Sequence, residues 1–356
     1  MDIKVTPVPH DQRKPKPPWD DLGFGRYFTD HAFYVNYESS TGWHNARIER
    51  YGAISLDPAA LVLHYGQEIF EGLKAYWGKD DKVRLFRPDK NIERLNNSAE
   101  RMCMPTVDPE FALRAIKELV KLERDWIPRK VGESLYIRPT MIATEAALGV
   151  KVSDKYLFYV ILSPVAAYYA EGFSPIKIYV EDKYVRSAPG LVGAAKTSGN
   201  YAASLLAAKK AKDRGFTQVL WLDARERKWV EEVGTMNQFF VIGDEVVTSP
   251  LTGSILPGVT RLSVIEILRE WGYKVNERMI SIDEVIEAAK TGDLKEAFGT
   301  GTAAIISPVG SLTFKDQEYV INDFQIGDLS QKLYDEILAI QYGMKEDARG
   351  WTVLVA

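Results

Sequence analysis

The sequence predicts an α+β protein of two domains. Three observations carry that reading. Strand-like and helix-like segments alternate irregularly, with hairpins between strands, instead of in a uniform βαβ repeat. A chain of 356 residues is long enough for about two domains. The stretch SPVAAYYAEGFSP mixes proline, glycine and small residues between the two halves. It reads as a link over residues 167–177, after an extended arm (1–20) and a smaller N-terminal domain (21–166) and before a larger C-terminal domain (178–356).

The elements follow in order. Residues 1–20 carry Pro7, Pro9, Pro15, Pro17 and Pro18 among charges, so an extended arm is expected, not a packed element. FTDHAFYVNY, residues 28–37, reads as an aromatic strand. LKAYW and VRLFR flank GKDDK as a hairpin. Pro88 suits the first turn of a helix on which Ile92, Leu95, Ala99 and Met102 recur at helical spacing. Asp108 opens a second helix, and the strands SLYIRPTMIATEA and KYLFYVILS follow. Beyond the link, IKIYVED and VRSA read as strands, 199–214 as a helix and FTQVLWLD as a strand. MNQFFVIGDEVVTSP is a hairpin turning at Gly243-Asp244. A helix launched from Pro257-Gly258 has Leu262, Val264, Ile265 and Leu268 as its apolar set. Ser281 caps IDEVIEAAK. GTAAIISPVG is a loop and strand, and DLSQKLYDEILAIQYG is the closing helix.

Composition narrows the function. A net charge of −4 gives no general pull toward nucleic acid or anionic membrane. No apolar run approaches the roughly 18 residues that span a bilayer. The opening MDIKVTPVPHDQRK lacks a charged start followed by an apolar core, so no secretory signal is expected. The single cysteine, Cys103, excludes an intrachain disulfide and fits a reducing compartment, so a cytoplasmic location is expected. His10, His31, His44 and His64 lack the spacing of a metal site.

The chemistry gathers around Lys196 in GAAKTSGNYAASLLAAKKA, residues 193–211. An amine is nucleophilic only when neutral, so a reactive lysine needs desolvation or a nearby cation. Small neighbours let a flat ligand come close. A helix starting at Gly199-Asn200 aims Tyr201 at the same place. In VEEVGTMNQFFVI, Glu231 and Glu232 are adjacent on a strand and so point to opposite faces. One is expected to face solvent and the other inward, where it needs a partner such as a protonated ring nitrogen. The helix start in SILPGVTRLS, with Gly258, Val259 and Thr260, offers free amides to a phosphate. Thr300 and Thr302 in FGTGTAAII offer hydroxyls, and Arg94 in NIERLNNSAERM offers a cation. Each feature alone has an ordinary explanation: a surface lysine, a core tyrosine, solvated charges, a helix start without a ligand. Together they describe pyridoxal 5′-phosphate, which pairs a lysine imine with an acidic partner on its ring nitrogen.

The ordered series LHYGQEIFEGLKAYWG, VRLFRPDKNIERLNNSAERM, LYIRPTMIATEAALGV, GNYAASLLAAKKAKDRGFTQVLWLD, EEVGTMNQFFV, ILPGVTRLSV and FGTGTAAIISPVG resembles the branched-chain-amino-acid aminotransferases. These are fold-type IV pyridoxal-phosphate enzymes, and the likeness runs from about Phe24 to the closing IQYG. It implies a smaller α/β N-terminal domain and a larger β-rich one with the cofactor between them. It makes Lys196 the Schiff-base lysine and proton shuttle, Tyr201 the partner of the phenolic oxygen and Glu232 the partner of the pyridine nitrogen. Arg94, the amides of Val259 and Thr260, and Thr300 would hold the phosphate. Phe24, Tyr65, Phe70, Tyr136 and Tyr168 would wall the side-chain pocket, with Arg138 beside it. Thr235, Thr302 and Ala303 would face the substrate carboxylate, and Val150 would reach in from the neighbouring subunit of a homodimer. The implied reaction carries the amino group of leucine, isoleucine or valine to 2-oxoglutarate, giving glutamate. An apolar pocket separates such side chains only modestly, by about 1–3 kcal/mol per methylene.

The sequence departs from the mammalian members in one place: their CxxC redox pair is Ala304 and Ser307 here. A D-amino-acid aminotransferase or aminodeoxychorismate lyase would share Lys196 and Glu232 but not the aromatic set around LYIRP and PVAAY. A phosphate-binding module would use the two cradles and leave Lys196 idle, and the clustered small residues around Lys196 argue against a structural dimerisation protein.

Overall fold

A computed structural model describes residues 1–166 and 172–355. The α+β expectation holds, and the chain divides into two compact units. The first comprises Met1–Tyr168, Ala195–Ser198 and Leu338–Ala356, and the second Tyr169–Ala194 and Gly199–Ile337. The division is thus not a single cut near the expected link: four residues around Lys196 and the last stretch of chain pack into the first unit.

In the first unit, β1 (Lys4–Val5), β2 (His31–Glu38), β3 (Gly42–Arg50), β4 (Glu68–Phe70), β5 (Leu73–Trp77), β6 (Val83–Phe86), β7 (Ser134–Ala143) and β8 (Lys155–Val165) build one sheet. Its order is β1-β3-β2-β8-β7-β5-β6, with β4 paired to β7. Short helix α1 (Leu61–Tyr65) precedes β4, and α2 (Pro88–Arg101) and α3 (Pro109–Leu122) follow β6. Pro88 starts α2, where a missing N–H leaves no bond unmade. Ile92, Leu95 and Ala99 enter the core, while Met102, the residue after the helix, is only partly buried. Asp108 caps α3 by accepting from the Phe111 amide at 2.8 Å, a contact worth about 1 kcal/mol.

The arm departs from expectation. Lys4–Val5 pairs in parallel with Arg47 and Ile48 of β3, and Val8 is buried. No hydrophobic period announces this, because backbone and polar contacts tie the segment down.

In the second unit, β9 (Ile176–Glu181), β10 (Gln218–Leu222), β11 (Val230–Val233), β12 (Met236–Ile242), β13 (Glu245–Thr248), β14 (Lys274–Glu277), β15 (Leu294–Gly301), β16 (Ile305–Phe314) and β17 (Gln317–Val320) form another sheet. Helices α4 (Ser198–Asp213), α5 (Val259–Glu270), α6 (Ile282–Thr291) and α7 (Asp328–Gln341) accompany it. Gly243 makes the β12–β13 turn with positive φ, a conformation that suits glycine. Ser281 caps α6 through the Glu284 amide at 3.1 Å. On α5, Val264, Ile265 and Leu268 are buried, but Leu262 lies on the exposed side of the helix. VRSA, expected as a strand, is irregular here. Pro189-Gly190 follow it, and the side chain of Arg186 is drawn into the interior.

The chain does not close on α7. A last strand, β18 (Thr352–Leu354), pairs antiparallel with β6 and so completes the edge of the first sheet.

Candidate active site

Within the first unit, Lys196 is fixed by its own backbone. The Phe70 amide donates to the Lys196 carbonyl at 3.0 Å. The Lys196 amide donates to Ser98 Oγ at 2.9 Å, and Thr197 Oγ1 donates to the Glu68 carbonyl at 2.7 Å. Ala195 and Thr197 are buried on either side while Lys196 itself is half-buried. The small residues therefore let the segment lie flat along β4, and its amine stands 4.9 Å from the centre of the Phe70 ring.

Helix α2 serves this segment with a polar stripe at helical spacing: Asn91, Arg94 and Ser98. All three are buried. Arg94 is thus not a solvated surface cation. Its Nε and Nη2 grip both oxygens of Glu71 at 2.7 and 2.9 Å, and Asn91 Nδ2 donates to Glu71 at 2.8 Å. Burial pushes the Glu71 carboxyl up, but the charge and hydrogen bonds of Arg94, the Lys196 ammonium and Asn91 outweigh it and hold it below the usual carboxylate range.

Phe70, Tyr136 and Arg138 share one face of the sheet, since Phe70 pairs with Thr140 on β7. Arg138 stacks over Phe70 at 4.8 Å and donates to the Tyr136 hydroxyl at 3.1 Å. Phe24 meets Tyr136 edge-on at 5.0 Å. Lys74 lies directly across from Tyr136 and is buried, and desolvation lowers its pKa to about 7. Tyr65 and Val150 are brought to another part of this unit. Tyr65 donates to the Leu148 carbonyl, and Val150 is 83% exposed. Tyr168 lies outside the described residues.

In the second unit, Glu232, Asn237 and Thr300 stand in register across β11, β12 and β15. Glu232 forms an ion pair with Arg186, Oε2 to Nη2 at 2.5 Å, and its other oxygen accepts from Asn237 Nδ2 at 3.1 Å. Arg186 also donates to the carbonyls of Ser254 and Gly193. The expectation of one solvated and one inward glutamate needs correction, because both are buried. Glu231 accepts from Ser254 Oγ at 2.5 Å, and burial pushes its carboxyl up. β11 is covered on both faces, so alternation gave each carboxylate a polar partner instead of giving one of them water.

Tyr201, on the first turn of α4, lines a recess with Arg186, Asn200, Ser204, Glu232, Gly234, Thr235 and Leu256. Gly234 turns there at φ 56°, and any side chain would meet Gln218. At the start of α5, Gly258 provides no side-chain cap, so the first-turn amides, those of Val259 and Thr260 among them, have no partner within the helix. A Cβ on Gly258 would stand 2.1 Å from Asn237 Oδ1. Thr300 Oγ1 is buried with no hydrogen-bond partner among the described residues. Thr302 and Ala303 form the half-exposed turn between β15 and β16.

Sequence reasoning missed Glu71, Lys74 and Arg186. The 91, 94, 98 spacing on α2 was a legible signal for Glu71, since a buried polar stripe demands a polar counterpart. Nothing local marks Arg186.

Amino-transferase class IV is the family whose model matches this chain, over residues 68–312. A span of the chain that includes Lys196, Glu232 and Thr300 thus fits one known family. The chain belongs to the class IV aminotransferases. Among members of this family, branched-chain-amino-acid transaminase 1 of Bacillus subtilis (strain 168) is 56% identical over 343 residues, covering 96% of each chain. A probable branched-chain-amino-acid aminotransferase of Staphylococcus aureus (strain N315) is 54% identical, again over 96% of both. The fold matches the crystal structure of the Escherichia coli branched-chain amino acid aminotransferase with a TM-score of 0.77 at 26% identity, covering 92% of this chain and 99% of that one. It also matches the T.th. branched-chain amino acid aminotransferase solved with pyridoxamine 5′-phosphate, with a TM-score of 0.75 at 27% identity, covering 90% and 98%. Among the described residues there is no cluster suited to a metal ion and no helix long and apolar enough to cross a membrane.

Proposed function

We infer that this class IV aminotransferase moves the amino group of L-leucine, L-isoleucine or L-valine to 2-oxoglutarate, using pyridoxal 5′-phosphate. The observation that carries this is the 56% identity, over 96% of both chains, to a Bacillus subtilis branched-chain transaminase.

The residues present fit the cofactor. A buried, unpartnered Thr300 hydroxyl and an uncapped helix start at Gly258 suit a phosphate. A buried carboxylate already held by Arg186 and Asn237 suits a protonated ring nitrogen. When bound, the cofactor supplies an electron sink for the bond broken at the amino acid's α-carbon. Lys196 would anchor it, take the α-proton and return it as a general acid. Glu232 would keep the ring nitrogen protonated, and Tyr201 would bond the phenolic oxygen. Val259, Thr260, Thr300 and Arg94 would hold the phosphate, with Arg94 kept in place by Glu71. Phe24, Phe70, Tyr136 and Tyr168 would exclude water around the branched side chain, while Tyr65, bonded to the Leu148 carbonyl, would join Val150 in serving the partner's pocket. Arg138 would meet the second carboxylate of glutamate, while Thr235, Thr302 and Ala303 would receive the α-carboxylate. Exposed Leu148 and Val150 support a homodimer in which Val150 serves the partner's pocket, and the single cysteine suits a cytoplasmic location.

The deciding experiment is the visible spectrum of the purified protein before and after L-leucine, with no oxo acid present. The reading expects a cofactor band that bleaches as 4-methyl-2-oxopentanoate is released, and no lysine-bound band in Lys196→Ala. Bleaching by D-alanine alone would keep the cofactor and overturn the substrate class.

A further inference from the structure

The arm that precedes β2 is tied into the first unit by polar contacts, four of which are made by one lysine. The Lys14 amide donates to Asp30 Oδ1 at 2.7 Å. Its ammonium donates to the carbonyls of Phe28 and Thr29 at 3.1 and 2.8 Å, and stands 4.3 Å from the centre of the Tyr51 ring. Tyr51 in turn stacks on Phe28 at 5.2 Å. Asp30 is buried and also accepts from the Trp126 indole at 3.1 Å, while Lys16 caps the face of that indole. Next to this, the Val8 amide donates to His31 Nε2 at 2.7 Å. That bond needs a lone pair on Nε2, so the proton sits on Nδ1, which donates to buried Glu123 at 2.5 Å.

The loop held by these contacts is the one that carries Phe24. It leaves β8 where the Ala166 amide donates to the Gly23 carbonyl at 2.9 Å, and rejoins it where the Thr29 amide donates to Leu162 at 3.2 Å. Gly23 and Gly25 take positive φ here, and Arg26 reaches back out of the loop to an exposed pair with Asp21. Exposed pairs of that kind hold little, about 0–1 kcal/mol. At the closing end of the loop, beside the Thr29 pin and the Phe28–Tyr51 stack, Lys14 adds a cation that grips two consecutive carbonyls. From Phe24 the contacts run on to Tyr136, from Tyr136 through Arg138 to Phe70, and from Phe70 to Lys196.

We propose that Lys14 is a specificity-positioning residue: by clamping the Phe28–Thr29 carbonyls it sets the Phe24 loop against Tyr136, and so fixes the wall that receives the substrate's side chain. Lys14 touches neither substrate nor cofactor and acts through Phe24. The proposal rests on the functional reading above, because it takes the Phe24–Tyr136 contact as the pocket wall.

The test compares wild-type holoenzyme with Lys14→Met and Lys14→Arg. Two quantities are read: the rate of chymotrypsin cleavage after Phe24, Tyr27 and Phe28, and the steady-state constants for L-leucine. Methionine keeps the stem and loses the donors, whereas arginine keeps a cation able to donate to both carbonyls. Lys14→Met is expected to speed cleavage in this loop and to raise KM for L-leucine about tenfold, the scale of losing hydrogen bonds from a charged donor. Saturated kcat and the cofactor's visible band are expected to stay as in wild type, and Lys14→Arg to restore KM most of the way. Unchanged cleavage overturns the proposal, as does faster cleavage with KM unchanged. A parallel fall of kcat, cofactor content and melting temperature that arginine does not rescue overturns it too, because that describes a structural role alone. Failure of wild type itself to react with L-leucine sinks the functional reading, a result distinct from wild type reacting and the variant matching it.

Discussion

Arg186 and Glu232 meet at 2.5 Å with side chains only 9% and 4% exposed. A buried pair of this kind is weak evidence for stability as it stands, but removing one partner strands the other charge. Arg186→Met is therefore expected to destabilise the second unit by about 3–5 kcal/mol, read as a shifted urea midpoint. It should also weaken cofactor binding, because Glu232 then gains by taking up a proton itself. A midpoint equal to wild type would show that Glu232 has a second partner of equal strength.

Thr300 offers a cleaner separation of binding from folding. Its hydroxyl is buried with no partner among the described residues, so Thr300→Val removes a polar atom that folding gains nothing from. The apoprotein should melt at the wild-type temperature or slightly above it. Pyridoxal 5′-phosphate should bind about 10- to 100-fold more weakly, the loss of one hydrogen bond to a charged group. Spectroscopic titration gives the affinity and differential scanning fluorimetry the melting temperature.

Lys74 makes stability depend on pH in a set direction. Desolvation lowers its folded pKa from the usual 10.5 to about 7. Between those values the unfolded chain holds the proton and the folded protein does not, so stability rises with pH through that window. Below about pH 7 both states are charged and the burial penalty is present in full. Lys74→Met is expected to be more stable than wild type at pH 6, with the difference shrinking toward pH 10. Urea melts across that range check both the sign and the window.

Glu71 moves stability in the same direction with pH, but in an acid window and as a stabilising group. Its folded carboxyl is held below the ordinary value of 4.5. The stability it contributes is present above that value and is lost as pH falls toward the folded pKa. Glu71→Gln should therefore lower stability at neutral pH and show a shallower loss on acidification below pH 4.5. It should also weaken phosphate-dependent cofactor binding, since Arg94 loses the bidentate partner that orients it.

Much of this was legible in the sequence, for identifiable reasons. Helices α2, α3, α5 and α6 announced themselves through apolar period, Pro88, Asp108 and Ser281, because capping and helix packing are local. The β12–β13 hairpin was carried by its glycine turn. Lys196, Glu232 and the Gly258 helix start stood out because small residues and adjacent charges in apolar surroundings are locally odd. Arg186 was not legible: its meaning comes from Glu232, 46 positions on in the chain. Burial of Glu231 depended on Ser254, and the hold of the arm depended on Asp30, His31 and Glu123. Such contacts between distant parts of the chain leave no period behind. The strand expected at VRSA does not form, and the meaning of its Arg186 likewise lies in distant partners, Glu232 and the Ser254 carbonyl.

The strand β18 carries a consequence for biosynthesis. Its pairing with β6, the Arg87 amide's bond to the Trp351 carbonyl and the Phe86–Trp351 ring contact join residues separated by the entire second unit. A nascent chain emerges from the ribosome in order, and domains usually fold as they appear. Here the first sheet to be translated keeps an open edge at β6 until codon 352 and its neighbours have been read. During that interval the unpaired rim of β6 is a template for other extended segments, so the growing polypeptide is most in need of a chaperone after its first half is already made.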